Sequence, residues 1–144
     1  MNVQFIDHVG IRVHDEYRSL SFYQKLGFFE YERAHNDPVI IIKNDKGVEI
    51  NLIVNAKEQH PPSNILMDIP EKHAGITHIA LQVPSIIDTM NILESHQIPL
   101  SGGPAKMGEG SVSIFIRDPD RNVIELRGRD QDEAAIPNLK IYTG

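Results

Sequence analysis

Apolar residues alternate with small or polar ones through His8-Val9-Gly10-Ile11-Arg12-Val13, the period of a strand with one buried face, and the same pattern returns 70 residues later in His78-Ile79-Ala80-Leu81-Gln82-Val83. Each run is followed by helical spacing. Leu20, Tyr23 and Leu26 recur every three residues after the first, and Ile86, Met90 and Leu93 follow i, i+4, i+7 after the second. Gly27 suits the position that closes a helix, and Gln97-Ile98-Pro99 stops the second one. Three further strands are predicted in each half. In the first they fall near 28–35, 39–44 and 47–55, separated by Asn36-Asp37-Pro38 and Asn44-Asp45-Lys46-Gly47. In the second they fall near 100–107, 111–118 and 122–127, separated by Gly108-Glu109-Gly110 and Asp118-Pro119-Asp120-Arg121-Asn122.

Each half therefore reads βαβββ. The last strands match as well, Ile50-Asn51-Leu52 with Ile124-Glu125-Leu126 at an offset of 74, so the repeat gains only four residues along its length. The expected organisation is one domain over 1–144, with module one over about 1–56, a Pro-containing linker over about 57–74, module two over about 75–129 and a tail over 130–144. The tail can be frayed, packed or a dimer arm.

The repeat selects the residues that can carry chemistry. A histidine from the first strand and a residue from the last strand of each half can converge inside one curved sheet, which gives His8, Asn51, His78 and Glu125. Two imidazoles and one carboxylate form a known three-ligand set for divalent metals and leave positions open for substrate. Glu49 lies on the same face as Asn51, about 7 Å along the strand, and is the reserve carboxylate. The bland alternative puts both histidines on half-exposed strands and turns Glu125 to water.

His14, His35, His60, His73 and His96 fall in predicted loops or element ends and have a weaker claim. Arg117, Arg121, Arg127 and Arg129 cluster near the last hairpin, where they can pair a substrate carboxylate or phosphonate, or balance an acidic surface. Glu109, flanked by glycines, can border the site as a lid residue. Neither glycine-rich stretch, Ser101-Gly102-Gly103-Pro104 or Met107-Gly108-Glu109-Gly110, precedes a helix, so both read as turns rather than phosphate loops.

Composition narrows the choice. The chain has 144 residues, 40% hydrophobic and 24% charged, an ordinary balance for a folded domain. Its 14 basic against 20 acidic residues give a net charge of −6, which argues against a nucleic-acid partner. The absence of cysteine excludes thiolate metal sites, disulfides and thiol nucleophiles. No apolar run approaches the roughly 18 residues of a spanning helix, and Met1 leads directly into the first strand, so a cytoplasmic protein without a membrane partner is expected.

The motifs Asp7-His8-Val9-Gly10-Ile11-Arg12-Val13, Ser21-Phe22-Tyr23-Gln24-Lys25-Leu26-Gly27-Phe28, Thr77-His78-Ile79-Ala80-Leu81-Gln82-Val83 and Phe115-Ile116-Arg117-Asp118-Pro119-Asp120-Arg121-Asn122-Val123-Ile124-Glu125-Leu126 strongly resemble the vicinal oxygen chelate superfamily, over nearly the whole chain. That superfamily includes glyoxalase I, extradiol dioxygenases, methylmalonyl-CoA epimerase, fosfomycin resistance enzymes and metal-free bleomycin resistance proteins. The resemblance implies an α+β fold in which two βαβββ modules form a cupped mixed sheet around a central cleft. It also implies a homodimer and one divalent ion (Ni, Zn, Fe or Mn) that chelates two adjacent oxygens of a small-molecule substrate. His8, His78 and Glu125 match the metal-ligand positions.

Short bacterial glyoxalase I carries a further glutamate where this chain has Asn51, a weaker, neutral ligand that cannot act as a base, so the four-ligand glyoxalase arrangement requires Glu49 to be recruited through a bulge. Glu125 and Glu49 are the carboxylates within reach for proton transfer. Lyase or isomerase chemistry is slightly favoured, because typical extradiol dioxygenases are about twice as long. An Fe(II)-type dioxygenase, a fosfomycin-type transferase and a metal-free binding protein remain alternatives.

Overall fold

The computed structural model describes residues 1–108, 110–129, 134–136 and 139–142. Among them β1 (Val9–Val13), α1 (Glu16–Lys25), β2 (Phe29–Arg33), β3 (Val39–Lys43) and β4 (Glu49–Val54) form the first half. The second half comprises β5 (His78–Gln82), α2 (Ile86–Ser95), β6 (Gly102–Lys106), β7 (Ser111–Arg117) and β8 (Val123–Arg129), and a short β9 (Lys140–Ile141) follows. The sheet orders are β1-β4-β3-β2 and β5-β8-β7-β6-β9. In both, the first strand lies parallel beside the last, and the remaining βαβββ pairings are antiparallel. The fold is thus α+β with two βαβββ modules, as the repeat predicts. β9 comes from the tail and runs parallel to β6.

The chain forms two compact units, Met1–Asn64 with Asp118–Arg121, and Ile65–Arg117 with Asn122–Gly144. In the first, Ile11 and Val13 of β1, Ile40 and Ile42 of β3, and Ile50 and Leu52 of β4 are buried and share one sheet face by register. Leu20 and Tyr23 of α1 are buried with them. The other face carries Gly10, Arg12, Ile41, Lys43, Glu49, Asn51 and Ile53.

The turn 118–121 belongs to this unit because its acids are bound there. The Tyr23 hydroxyl donates to Asp118 Oδ2 at 3.0 Å, Arg18 Nη2 pairs with Asp120 Oδ1 at 2.6 Å, and the His14 backbone N–H donates to Asp120 Oδ2 at 3.1 Å. Burial, and then the adjacent Asp118 charge, push the Tyr23 hydroxyl well above the usual tyrosine range.

In the second unit, Ile114 and Ile116 of β7 and Ile124 and Leu126 of β8 share the face on which Ile79 and Leu81 of β5 also stand. α2 packs against β7 and β8 with Ile86 and Leu93 buried. The opposite face carries His78, Ser111, Ser113, Arg117, Glu125 and Arg127 together with Ala80, Phe115 and Val123.

The helices are duplicated down to their caps. Asp15 accepts from the Arg18 N–H, and Ser85, 70 positions on, accepts from the Asp88 N–H. At the other end Gly27 and Phe28 donate to the carbonyls of Gln24 and Tyr23, while Gln97 and Ile98 donate to those of Glu94 and Leu93. The left-handed residue is a glycine in one helix (φ 88°) and Gln97 in the other (φ 57°).

Two predictions follow from this packing. Gln97→Gly relieves the strain of a side chain at positive φ and should raise stability by about 0.5–1 kcal/mol in urea unfolding. Tyr23→Phe strips a buried carboxylate of one donor and should cost about 1–3 kcal/mol. The tyrosine's raised folded value means that its contribution is intact below the unfolded value near 10.0 and is lost as pH rises through the folded value. Wild-type stability should therefore fall more steeply above pH about 10 than that of Tyr23→Phe.

Candidate metal centre

In the second unit the parallel pairing of β5 with β8 sets the site rows. His78 stands opposite Val123 and Ala80 opposite Glu125, and across β7 the same rows hold Arg117 and Phe115. His78 opens β5 and leans on Phe115, ring edge to ring face, with centroids 6.1 Å apart. Its Nε2 lies 3.1 Å from Glu125 Oε2, and its Nδ1 lies 2.9 Å from Thr77 Oγ1.

Glu125 is only 3% exposed, a deep position for a carboxylate. Its burial is tolerated because it is paired and hydrogen-bonded. Ser113 Oγ donates to Oε1 at 2.5 Å, and Arg127 Nη1 reaches the same oxygen at 3.2 Å. Asp68 of the connecting segment pairs with Arg117 at 3.1 Å, at the end of the sheet where His78 begins.

In the first unit His8 is not inside the strand, as the pattern suggests. It stands one residue before β1, one row beyond the Val9–Ile50 pair and level with Glu49. Its Nδ1 is 2.9 Å from Asp7 Oδ2. Asp7, His8 and Glu49 each bring a ligand atom within 4.8 Å of the others. Glu49 also pairs with its register partner Lys43 at 3.0 Å, and the Lys43 ammonium sits 4.1 Å over the Tyr31 ring. The hydrogen bond to Glu49 holds Lys43 above the usual lysine range, against a smaller opposing effect of burial. Asn51, opposite Gly10, has a buried Oδ1 with no hydrogen-bond partner.

Each unit thus gathers part of the expected set: His78 with Glu125 in one, and His8 with Glu49 and Asn51 on one face of the other. Of the remaining histidines, His14 bonds the Ala56 carbonyl through Nδ1 at 3.0 Å, and His35, His60, His73 and His96 are exposed. Arg129 holds Gln82, and Arg127 holds Glu125. Glu109, and with it the expected lid role, lies outside the described residues. Ser113 carries no motif. Its signal is the alternation Ser111-Val112-Ser113-Ile114, which puts two hydroxyls on the face shared with Glu125.

The profile of the Glyoxalase/Bleomycin resistance protein/Dioxygenase superfamily matches residues 5–126. The chain belongs to that superfamily. A glyoxalase domain-containing protein of Mycosarcoma maydis is 30% identical over 130 residues, which is 88% of this chain and 69% of that protein. Among solved structures, a glyoxalase/dioxygenase from Nostoc punctiforme is 19% identical with a TM-score of 0.70, covering 90% of this chain and 93% of its own. A glyoxalase family protein from Enterococcus faecalis is 24% identical with a TM-score of 0.70, covering 86% and 97%. At such identities these structures establish the glyoxalase fold. Members of the superfamily are often enzymes and commonly use a divalent metal. Among the described residues no helix is long and apolar enough to cross a membrane.

Proposed function

We propose that this chain is a divalent-metal-dependent enzyme that acts on a small substrate through two adjacent oxygens, with His8, His78 and Glu125 as metal ligands. One observation carries the reading. Both repeat-related histidines have Nδ1 at 2.9 Å from the side chain of the preceding residue, Asp7 in one module and Thr77 in the other. Asp7 can only accept, so His8 Nδ1 is the donor and Nε2 is left as the ligand atom, the arrangement in which outer partners orient metal-bound imidazoles.

The donors suit a divalent ion. With Thr77 likewise accepting from Nδ1, His78 Nε2 and Glu125 Oε2 face each other at 3.1 Å, a gap that either a proton or a shared metal ion bridges. The orphaned Asn51 Oδ1 is a further neutral oxygen without a partner.

When bound, the ion would draw electron density from chelated substrate oxygens and stabilise negative charge developing there. The chain's own residues do the rest. Phe115 and Thr77 fix the His78 ring, and Ser113 and Arg127 fix Glu125. Glu49 is the carboxylate for proton transfer, tethered by Lys43. Lyase or isomerase chemistry remains slightly favoured, in a cytoplasmic homodimer. A second reading, a metal-free ligand-binding protein, is favoured by one contact: Arg127 already neutralises Glu125 at 3.2 Å.

Elemental analysis of protein purified without an affinity tag separates the readings. Wild type is expected to hold about one metal ion per chain, lost in His8→Ala and in His78→Ala with the fold retained. Nickel or zinc supports the lyase or isomerase, and iron the dioxygenase. Metal content unchanged in both variants would overturn the ligand assignment. A wild type that stays empty after incubation with these ions leaves the binding protein.

A further inference from the structure

The two oxygens of Glu125 are used unequally. Oε1 accepts from Ser113 Oγ at 2.5 Å and from Arg127 Nη1 at 3.2 Å, whereas Oε2 faces the His78 imidazole. A carboxylate oxygen offers two lone-pair sites, so two donors saturate Oε1. Both donors are themselves fixed. Ser113 is fully buried on β7 and stands opposite Arg127, hence diagonal to Glu125 across the antiparallel pair. Arg127 Nη2 donates to Ser111 Oγ at 2.7 Å and to the Met107 carbonyl at 3.2 Å, and the Ser111 hydroxyl donates to that same carbonyl at 2.6 Å. The brace has two tiers, and it ends on one oxygen of one carboxylate.

The other module shows that the fold does not need it. At the 74-residue offset the counterparts of Ser113, Glu125 and Arg127 are Val39, Asn51 and Ile53, and Val39 opposes Ile53 just as Ser113 opposes Arg127. There the same three positions hold two aliphatic side chains and an amide whose oxygen has no partner. A sheet of this register accepts apolar residues where the second module places a hydroxyl and a guanidinium. Burying the Ser113 hydroxyl and the Glu125 carboxylate is no route to stability by itself.

We propose that Ser113 and Arg127 are positioning residues that clamp Oε1 and so make Glu125 a one-oxygen ligand, presented through Oε2 alone. The proposal rests on the metal reading above and adds how the carboxylate ligates. Without the clamp the carboxylate can turn and offer both oxygens, which changes the coordination number and loosens the site.

The test is a titration of wild type, Ser113→Ala, Ser113→Thr and Arg127→Met with cobalt(II), read by absorption spectrum and by dissociation constant, with thermal melts alongside. Ser113→Ala should weaken binding by about 10–100-fold, the range for loss of an outer-shell partner, and should shift the cobalt bands. Ser113→Thr, which keeps the hydroxyl, should restore both. Arg127→Met, which removes the second donor, should shift the bands in the same direction, so the proposal stays testable if Ser113→Ala does not fold. Variants that melt normally and match the wild-type cobalt spectrum and affinity overturn the clamp and leave the metal reading standing. A folded wild type that takes up no cobalt overturns the metal reading and the clamp with it.

Discussion

Everything at the candidate centre depends on the parallel pairing between the first and last strands of each βαβββ module. That pairing puts residue 10 opposite 51 and residue 80 opposite 125, and it makes the alternation of side chains in the two strands agree. One face of each sheet then collects buried isoleucine, leucine and valine, and the other collects the histidine, carboxylate, amide and guanidinium groups beside apolar residues such as Ile41 and Phe115. A slip of one residue in β8 would turn Glu125 into the apolar core and Ile124 out of it. The burial of Ile50, Leu52, Ile124 and Leu126 is therefore what holds the chemistry in place.

The two modules share this frame and diverge on its polar face. In the second, Glu125 is surrounded by Ser113, Arg127 and His78, a set in which nearly every polar atom is matched. In the first, Asn51 stands opposite Ile41 and diagonal to Val39, with Ile53 two residues along its strand, and the charged group has moved two residues the other way to Glu49, beside Lys43 and His8. A duplicated unit thus carries its carboxylate at different heights in its two copies. The first copy's orphaned amide oxygen is the atom whose role depends most on what the site holds.

Much of this is legible in the sequence. Period-two alternation gave the strands, the i, i+4, i+7 spacing gave the second helix, and the 70- and 74-residue offsets paired His8 with His78 and Asn51 with Glu125. What periodicity could not convey was contact chemistry across strands. Ser113 is an unremarkable residue in sequence, and it matters because antiparallel register sets it diagonal to a residue 12 positions away. The position of His8 outside β1, and the capture of the turn 118–121 by Tyr23, Arg18 and His14, depend on contacts that no local pattern encodes. Gln97 in a glycine's place at the end of α2 was invisible for the opposite reason. Pattern names the residue that usually fills such a position, while hydrogen bonds from Gln97 and Ile98 build the turn without it.

The most direct test of the account is anomalous diffraction from crystals soaked with zinc or cobalt, recorded on both sides of the metal edge. The account predicts one strong peak about 2.0–2.2 Å from both His78 Nε2 and Glu125 Oε2. A peak bound by Asp7, His8 and Glu49 instead, or no peak at full soaking, would contradict it.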